Sequence, residues 1–195
     1  MTSFKLFLEN SNFLSKNKLV GLPDIEANNV EDVFKVGKVT FDQHKGLGAT
    51  PNNRNVVYRG FVAELKPSTF LKLVTPADRG EDSKKFVGLI EKGTSLASPT
   101  LYISINEEEF ENGEPLKVKI TGHEGRARTW AFDTINGNVP MPVHFILEGG
   151  MRARDLSKKF FDALAETGFI PQDVSKDATP TKVNIGRIFW MGKIL

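Results

Sequence analysis

Apolar positions recur with two different periods along this chain, and each change of period marks an element. Val56 to Leu65 is largely apolar and bounded by turn residues, which predicts a strand. Pro67 then stands where a helix can begin, and Phe70, Leu71 and Val74 supply its apolar face until Thr75-Pro76 ends it. Asp82 or Ser83 is the expected cap of a second helix, in which Phe86, Leu89 and Ile90 share a face and Gly93 closes it. Ser98-Pro99 leads into a strand from Thr100 to Ile105. The acidic run Glu107-Glu108-Glu109, with Asn112-Gly113 after it, predicts a solvated turn, and Leu116 to Ile120 returns as an antiparallel partner. Ala127, Trp130, Ala131 and Ile135 then recur at helical spacing, with Gly137 as a natural stop. Val143 to Leu147 reads as a further strand. Leu156, Phe160, Ala163 and Leu164 form the stripe of an amphipathic helix that Gly168 ends, and Val183 to Trp190 reads as a last strand.

The chain before Val56 is less regular. Residues 2–9 place Phe4, Phe7 and Leu8 on one helical face, which suits either a docking helix or a packaging leader. Val33 to Phe41 reads as a strand pair or one kinked strand. The stretch from His44 to Asn53 is a turn-rich surface loop, and its Gly46-Leu47-Gly48 lacks the following helix that a phosphate cradle needs. The expected organisation is an extension over 1–30, then one compact α+β domain over 31–195. That domain has its core at 56–148, a small mixed sheet, packed helices, and a C-terminal helix and tail.

Composition narrows the class. With 195 residues, of which 39% are hydrophobic, the chain can bury one good core. A net charge of +2 does not by itself imply nucleic acid. The absence of cysteine excludes disulfides, thiolate chemistry and Cys-ligated zinc, and fits a reducing compartment. No apolar run approaches the ~20 residues of a membrane span, so a soluble protein with no membrane partner is expected. Asn10, Asn12, Lys16 and Lys18 interrupt any signal-peptide core.

The candidate chemistry gathers in Thr121-Gly122-His123-Glu124-Gly125-Arg126-Ala127-Arg128, between a predicted strand and a predicted helix. Glycines at such a turn let backbone N–H groups approach an anion, and a helix N-terminus favours negative charge. Arginines beside it can grip phosphate or carboxylate oxygens in bidentate fashion. His123 and Glu124 are the candidate acid–base residues, although a glutamate in a first helical turn also simply suits the dipole. Arg126 and Arg128 stand nearly opposite on a helix, so one phosphate would not meet both; Arg126 is the preferred contact. Arg152 and Arg154 form a second Arg-x-Arg that could close over the same anion, with Lys158 and Lys159 extending the basic patch. Ser68, at the first turn of the helix after Pro67, is either a cap or a further contact. His144 alternates with apolar neighbours and reads as packing, and Trp130 reads as core. No residue set carries a metal-site signature.

From Tyr58 to Leu147 the element order resembles the ParB/sulfiredoxin-like superfamily. The carrying residues are the approach from Lys92-Gly93 to Ser98-Pro99-Thr100-Leu101, the turn Glu124-Gly125-Arg126-Ala127-Arg128, and Pro142-Val143 in the strand after the helix. The likeness is greatest to a tailed-phage branch that carries Gly-His-Glu-Gly-Arg-x-Arg in this place. The resemblance implies nucleotide handling, with phosphates on Gly122–Arg128. Arg126 would contact phosphate, Glu124 would align Mg²⁺ or water, Gly122 and Gly125 would allow close approach, and Ser68 would border the site. Sulfiredoxin chemistry is excluded because no cysteine stands in the turn. Gly125 replaces the second arginine of the ParB turn, and the 48 or so residues after Leu147 are too few for both a helix-turn-helix and a dimerisation segment.

Three functions follow. The first is a nucleotide- or phosphate-binding phage protein that takes a nucleoside triphosphate with Mg²⁺ and can hydrolyse it. The second is a non-catalytic phage protein, internal to the virion or acting in host takeover, for which the N-terminal helix speaks. The third is a nucleic-acid binder or nuclease using Arg126, Arg128, Arg152 and Arg154 on backbone phosphate, though no aromatic residues interleave for base stacking. The expected location is the host cytoplasm or the virion interior.

Overall fold

The protein, represented by a computed structural model, is described over residues 33–42, 58–74, 80–147, 158–172, 179–183, 185 and 188–194. The helix expected over 2–9, the loop at 44–53, the Thr75-Pro76 stop, and Arg152 with Arg154 lie outside the described residues.

The described elements alternate strands and helices. A hairpin of β1 (Val33–Val36) and β2 (Val39–Asp42) comes first, then β3 (Tyr58–Leu65), α1 (Pro67–Leu73) and α2 (Gly80–Glu91). They are followed by β4 (Leu96–Ala97), β5 (Thr100–Ile105), α3 (Glu107–Glu111), β6 (Val118–Glu124), α4 (Arg126–Asn136) and β7 (Met141–Leu147). The last elements are α5 (Lys158–Glu166), β8 (Gly168–Ile170), β9 (Thr181–Lys182) and β10 (Ile188–Ile194). Seven strands form one mixed sheet in the order β10-β3-β7-β5-β6-β8-β9, and β1-β2-β4 form a second, smaller one. The architecture is α+β, as the patterning predicts.

Registers sort the side chains of the large sheet. Phe61 lies opposite Phe145, Phe145 opposite Leu101, and Ile103 opposite Ile120. Alternation therefore places Phe61, Ala63, Val143, Phe145, Leu101, Ile103, Val118 and Ile120 on one face. All of these are buried in one apolar cluster together with Phe160, Phe161 and Leu164 of α5 and Phe169 of β8. Phe61 stacks on Phe145 at 4.8 Å with an interplanar angle of 5°, and Phe161 meets Phe61 edge-on at 5.4 Å. These arrangements suit the aromatic quadrupole and fill the space between α5 and the sheet. The opposite face carries a lateral row of Val62, His144, Thr100 and Glu124, and beside it Ile146, Tyr102 and Gly122.

α4 packs against both α1 and α2 and carries Phe132 onto Phe41 of β2, at 5.4 Å between ring centroids. The N-terminus of α1 is closed from outside the helix: the Ser68 N–H donates to Asn138 Oδ1 at 3.0 Å. An asparagine in the loop after α4 thus does what a local capping side chain would do.

Several expectations are corrected. The acidic turn is a short helix, α3, and Asn106 ties its start to the next strand by accepting from the Lys117 N–H at 2.7 Å and donating to Pro115 O at 3.0 Å. α2 begins at Gly80, ahead of the expected Asp82 or Ser83 cap, and Ser83 is buried. The buried face of α4 is Thr129, Ala131 and Phe132, with Trp130 half-buried, so the stripe is rotated from the expected one. Gly168 opens β8 instead of ending α5, and the last strand starts at Ile188 instead of Val183. β4, β8 and β9 are short additions with no periodic signal of their own.

Truncating Phe61 removes a ring that touches Phe145, Phe160 and Phe161. Phe61→Ala should cost about 3–5 kcal/mol in equilibrium urea unfolding, with little change in m.

Candidate functional site

β6 reaches further than its apolar pattern suggests. It runs through Gly122, His123 and Glu124, so most of the expected turn is strand, and one residue, Gly125, makes the turn into α4. Gly125 adopts φ 92°, a left-handed conformation that L side chains avoid. A Cβ there would lie 2.8 Å from Pro99 Cα and 2.9 Å from Arg128 Nη2. The glycine is therefore needed for backbone geometry and for close approach by two neighbours.

Thr121 is an inserted residue between the pairs Tyr102–Gly122 and Ile103–Ile120. This bulge lets Ile120 and His123 share the apolar-cluster face, while Glu124 points to the other face. His123 and Glu124, the two candidate acid–base residues, thus stand on opposite faces of the sheet and do not meet at one site. Gly122 faces Tyr102, whose Cδ2 would be 3.3 Å from an added Cβ. Its small size accommodates that ring.

Glu124 is brought instead beside residues from two other strands. Thr100 pairs with Glu124 on one side and with His144 on the other, so three polar side chains share one row. Thr100 and His144 are buried, as is Ser98 before β5. The His144 N–H donates to Pro99 O at 2.8 Å, which ties the Ser98-Pro99 connection to β7.

Arg128 reaches back to this corner. Its Nη2 donates to Ser98 O at 3.5 Å, a long and weak contact. Its Nε is buried, with no hydrogen-bond partner among the described residues. Burial lowers the guanidinium pKa from its ordinary value, and the nearby Glu124 carboxylate partly restores it. Burial, and secondly the charge on Arg128, push the His144 imidazole down to about 4, so it is neutral near pH 7. Glu124, Arg128 and His144 therefore form one electrostatic group.

Arg126 is the first residue of α4 and is half-exposed at its N-terminus. The first intrahelical bond runs from the Thr129 N–H to Gly125 O at 2.8 Å, so the N–H groups of Ala127 and Arg128 precede it. No side-chain cap hydrogen bond closes this helix start, and no acidic residue lies in its first turn. Ser68 is exposed, and β3, which leads to it, stands three strand spacings from β6, about 14 Å. It contributes to the α1 cap and not to this corner. Lys159 is tied elsewhere, donating to Phe110 O at 3.3 Å. Among the described residues no three His, Asp or Glu side chains gather as a metal site would require.

The corner was only partly foreseeable. Ser98, Thr100 and His144 join it because three strands align in register, which no local pattern encodes. The available signal was a Ser-Pro-Thr run entering an otherwise apolar strand.

Two outcomes follow. Gly125→Ala should destabilise the fold by about 1–3 kcal/mol in urea unfolding, because the conformation is strained and the added methyl meets backbone. His144 has the ordinary 6.5 when unfolded and about 4 when folded, so between those values the unfolded chain binds the extra proton. Its contribution to stability is therefore intact above that window and is lost as pH falls through it, by about 3 kcal/mol. His144→Leu should show a correspondingly smaller loss between about pH 7 and pH 4 in the same unfolding measurement.

Comparison of the chain with protein-family models, with curated proteins and with solved structures gives no match.

Proposed function

We propose that the chain binds a phosphate-bearing ligand, a nucleotide, at the junction of β6 and α4. The observation that carries this reading is Arg128: its buried Nε–H has no acceptor among the described residues, and its one hydrogen bond there is long. A half-buried cation with an unspent donor at Nε is stabilised by an anion, and Arg geometry suits a phosphate oxygen pair. The start of α4 adds N–H groups and a positive dipole end, and Arg126 adds a second cation.

The order strand, helices, Ser98-Pro99 connection, strand, Gly125 turn, helix and strand is also the order on which the ParB/sulfiredoxin-like resemblance rests. That resemblance supports a nucleotide over inorganic phosphate and a role in a tailed phage, in the host cytoplasm or inside the virion. On this reading Glu124, beside the anion, aligns Mg²⁺ or water, and any phosphoryl chemistry falls to it rather than to His123. Arg128 becomes the principal contact and Arg126 the secondary one.

The test is a calorimetric titration with ATP, CTP, GTP and UTP, each with and without Mg²⁺, using inorganic phosphate as competitor. Saturable binding of a nucleotide should weaken at least about tenfold in Arg126→Ala and be lost in Arg128→Gln, with both variants checked for native circular dichroism. Absence of saturable binding by any nucleotide, or affinity unchanged in a folded Arg128→Gln, would overturn the reading.

A further inference from the structure

The far end of α4 carries a second chemical feature, independent of the anion site. Asn136 is the last residue of the helix, and Gly137 follows it. The Asn136 side-chain amide reads the turn of the β1–β2 hairpin as a neighbouring strand would. Its Oδ1 accepts from the Lys38 N–H at 3.2 Å, and its Nδ2 donates to Val36 O at 3.2 Å. Gly37 sits between those two groups at φ 57°, and Asn136 Oδ1 occupies the space a Cβ would need. Both polar groups of the amide are thus engaged by backbone 98 and 100 residues away.

Asn-Gly is also the dipeptide in which an asparagine amide is most open to attack by the next backbone nitrogen, because glycine adds no side chain and no conformational barrier. The Gly137 nitrogen, on losing its proton, adds to Asn136 Cγ and forms a C–N bond. The C–Nδ2 bond then breaks, and ammonia leaves with the proton. Water opens the resulting succinimide at either carbonyl, giving aspartate or isoaspartate without any change of oxidation state. In the native fold two contacts oppose this: the amide is held by the hairpin, and the Gly137 N–H donates to Asp133 O at 2.8 Å.

We propose that Asn136-Gly137 is a modification site protected by the β1–β2 hairpin, and that its deamidation releases the hairpin irreversibly. A carboxylate at this position keeps the acceptor for Lys38 but loses the donor to Val36 O, placing negative charge against a carbonyl. It also stands at the C-terminal end of a helix dipole, where negative charge is unfavourable. The reaction therefore proceeds when the hairpin opens, and its product resists closing.

The chain contains its own reference. Asn112-Gly113 is the same dipeptide, with the Gly113 N–H likewise hydrogen-bonded, to Phe110 O at 3.1 Å. Asn112 is exposed, and its side chain makes no hydrogen bond among the described residues. The two sites thus differ in exposure and in the hold on the amide.

The experiment incubates the full chain under mildly alkaline conditions and follows both peptides by mass spectrometry, with a parallel sample in strong denaturant. In denaturant both asparagines should convert at similar rates. In the folded chain Asn112 should convert at close to that rate and Asn136 at least about tenfold slower, since its reaction waits on local opening. Gly37→Ala, which disturbs the hairpin turn, should accelerate Asn136 without altering Asn112. Asn136→Asp should lower Tm by roughly 3–8 °C, while Asn112→Asp leaves it nearly unchanged. Equal rates at the two sites in the folded chain, or an unchanged Tm in Asn136→Asp, would overturn the proposal.

Discussion

The arrangement of the candidate site depends on the absence of a loop between β6 and α4. A strand that passes into a helix through one residue must turn sharply, and Gly125 does so in a conformation that side-chain-bearing residues avoid. The turn brings the backbone against Pro99 so closely that no Cβ fits between them. Because the helix starts there, Arg128 falls within reach of Ser98, and the guanidinium enters the field of Glu124 and His144. A longer connection would let α4 start elsewhere and leave Arg128 in solvent.

That placement carries an electrostatic demand. His144 lies on a strand buried on both faces, and its cationic form is doubly disfavoured, by burial and by the arginine. The corner therefore holds the neutral His144 of β7, Glu124 of β6 and the half-buried guanidinium of Arg128 from α4. Glu124 offsets part of the cost of burying Arg128, but a nearby charge does not satisfy the directional N–H at Nε. The corner is thus compensated only in part in charge, and it is incomplete in hydrogen bonding.

Much of the fold was legible because its long elements carry their own periodic signal. The start of α1 at Pro67, the stop of α4 at Gly137 and the strand pair around the acidic turn follow from local chemistry. β4, β8 and β9 were not legible, since two or three residues become a strand only by pairing with distant ones, such as Leu96 with Phe41. The site was half legible for a related reason. Glycines and arginines after a strand announced an anion-favouring helix start, but the reach of β6 through Glu124 depends on pairing with Thr100. Local sequence could not show that Thr121 bulges either, and that single insertion puts His123 on the face of Ile120 and Glu124 on the face of Thr100 and His144.

The two ends of α4 show how small groups can set the position of a helix in a sheet-rich fold. At its start, a missing side chain lets the backbone close on Pro99. At its finish, one side-chain amide imitates a strand and grips the hairpin turn at Val36 and Lys38. Between them, Phe132 meets Phe41 from the hairpin, so packing along the helix and hydrogen bonding at its end pull in the same direction. Phe41 and Val39 are wholly buried, which makes the hairpin part of the core and not an appendage. The helix that presents Arg126 and Arg128 is therefore held in register by residues far from them in sequence. A disturbance at the hairpin and a disturbance at Gly125 act on the same rigid element from opposite ends.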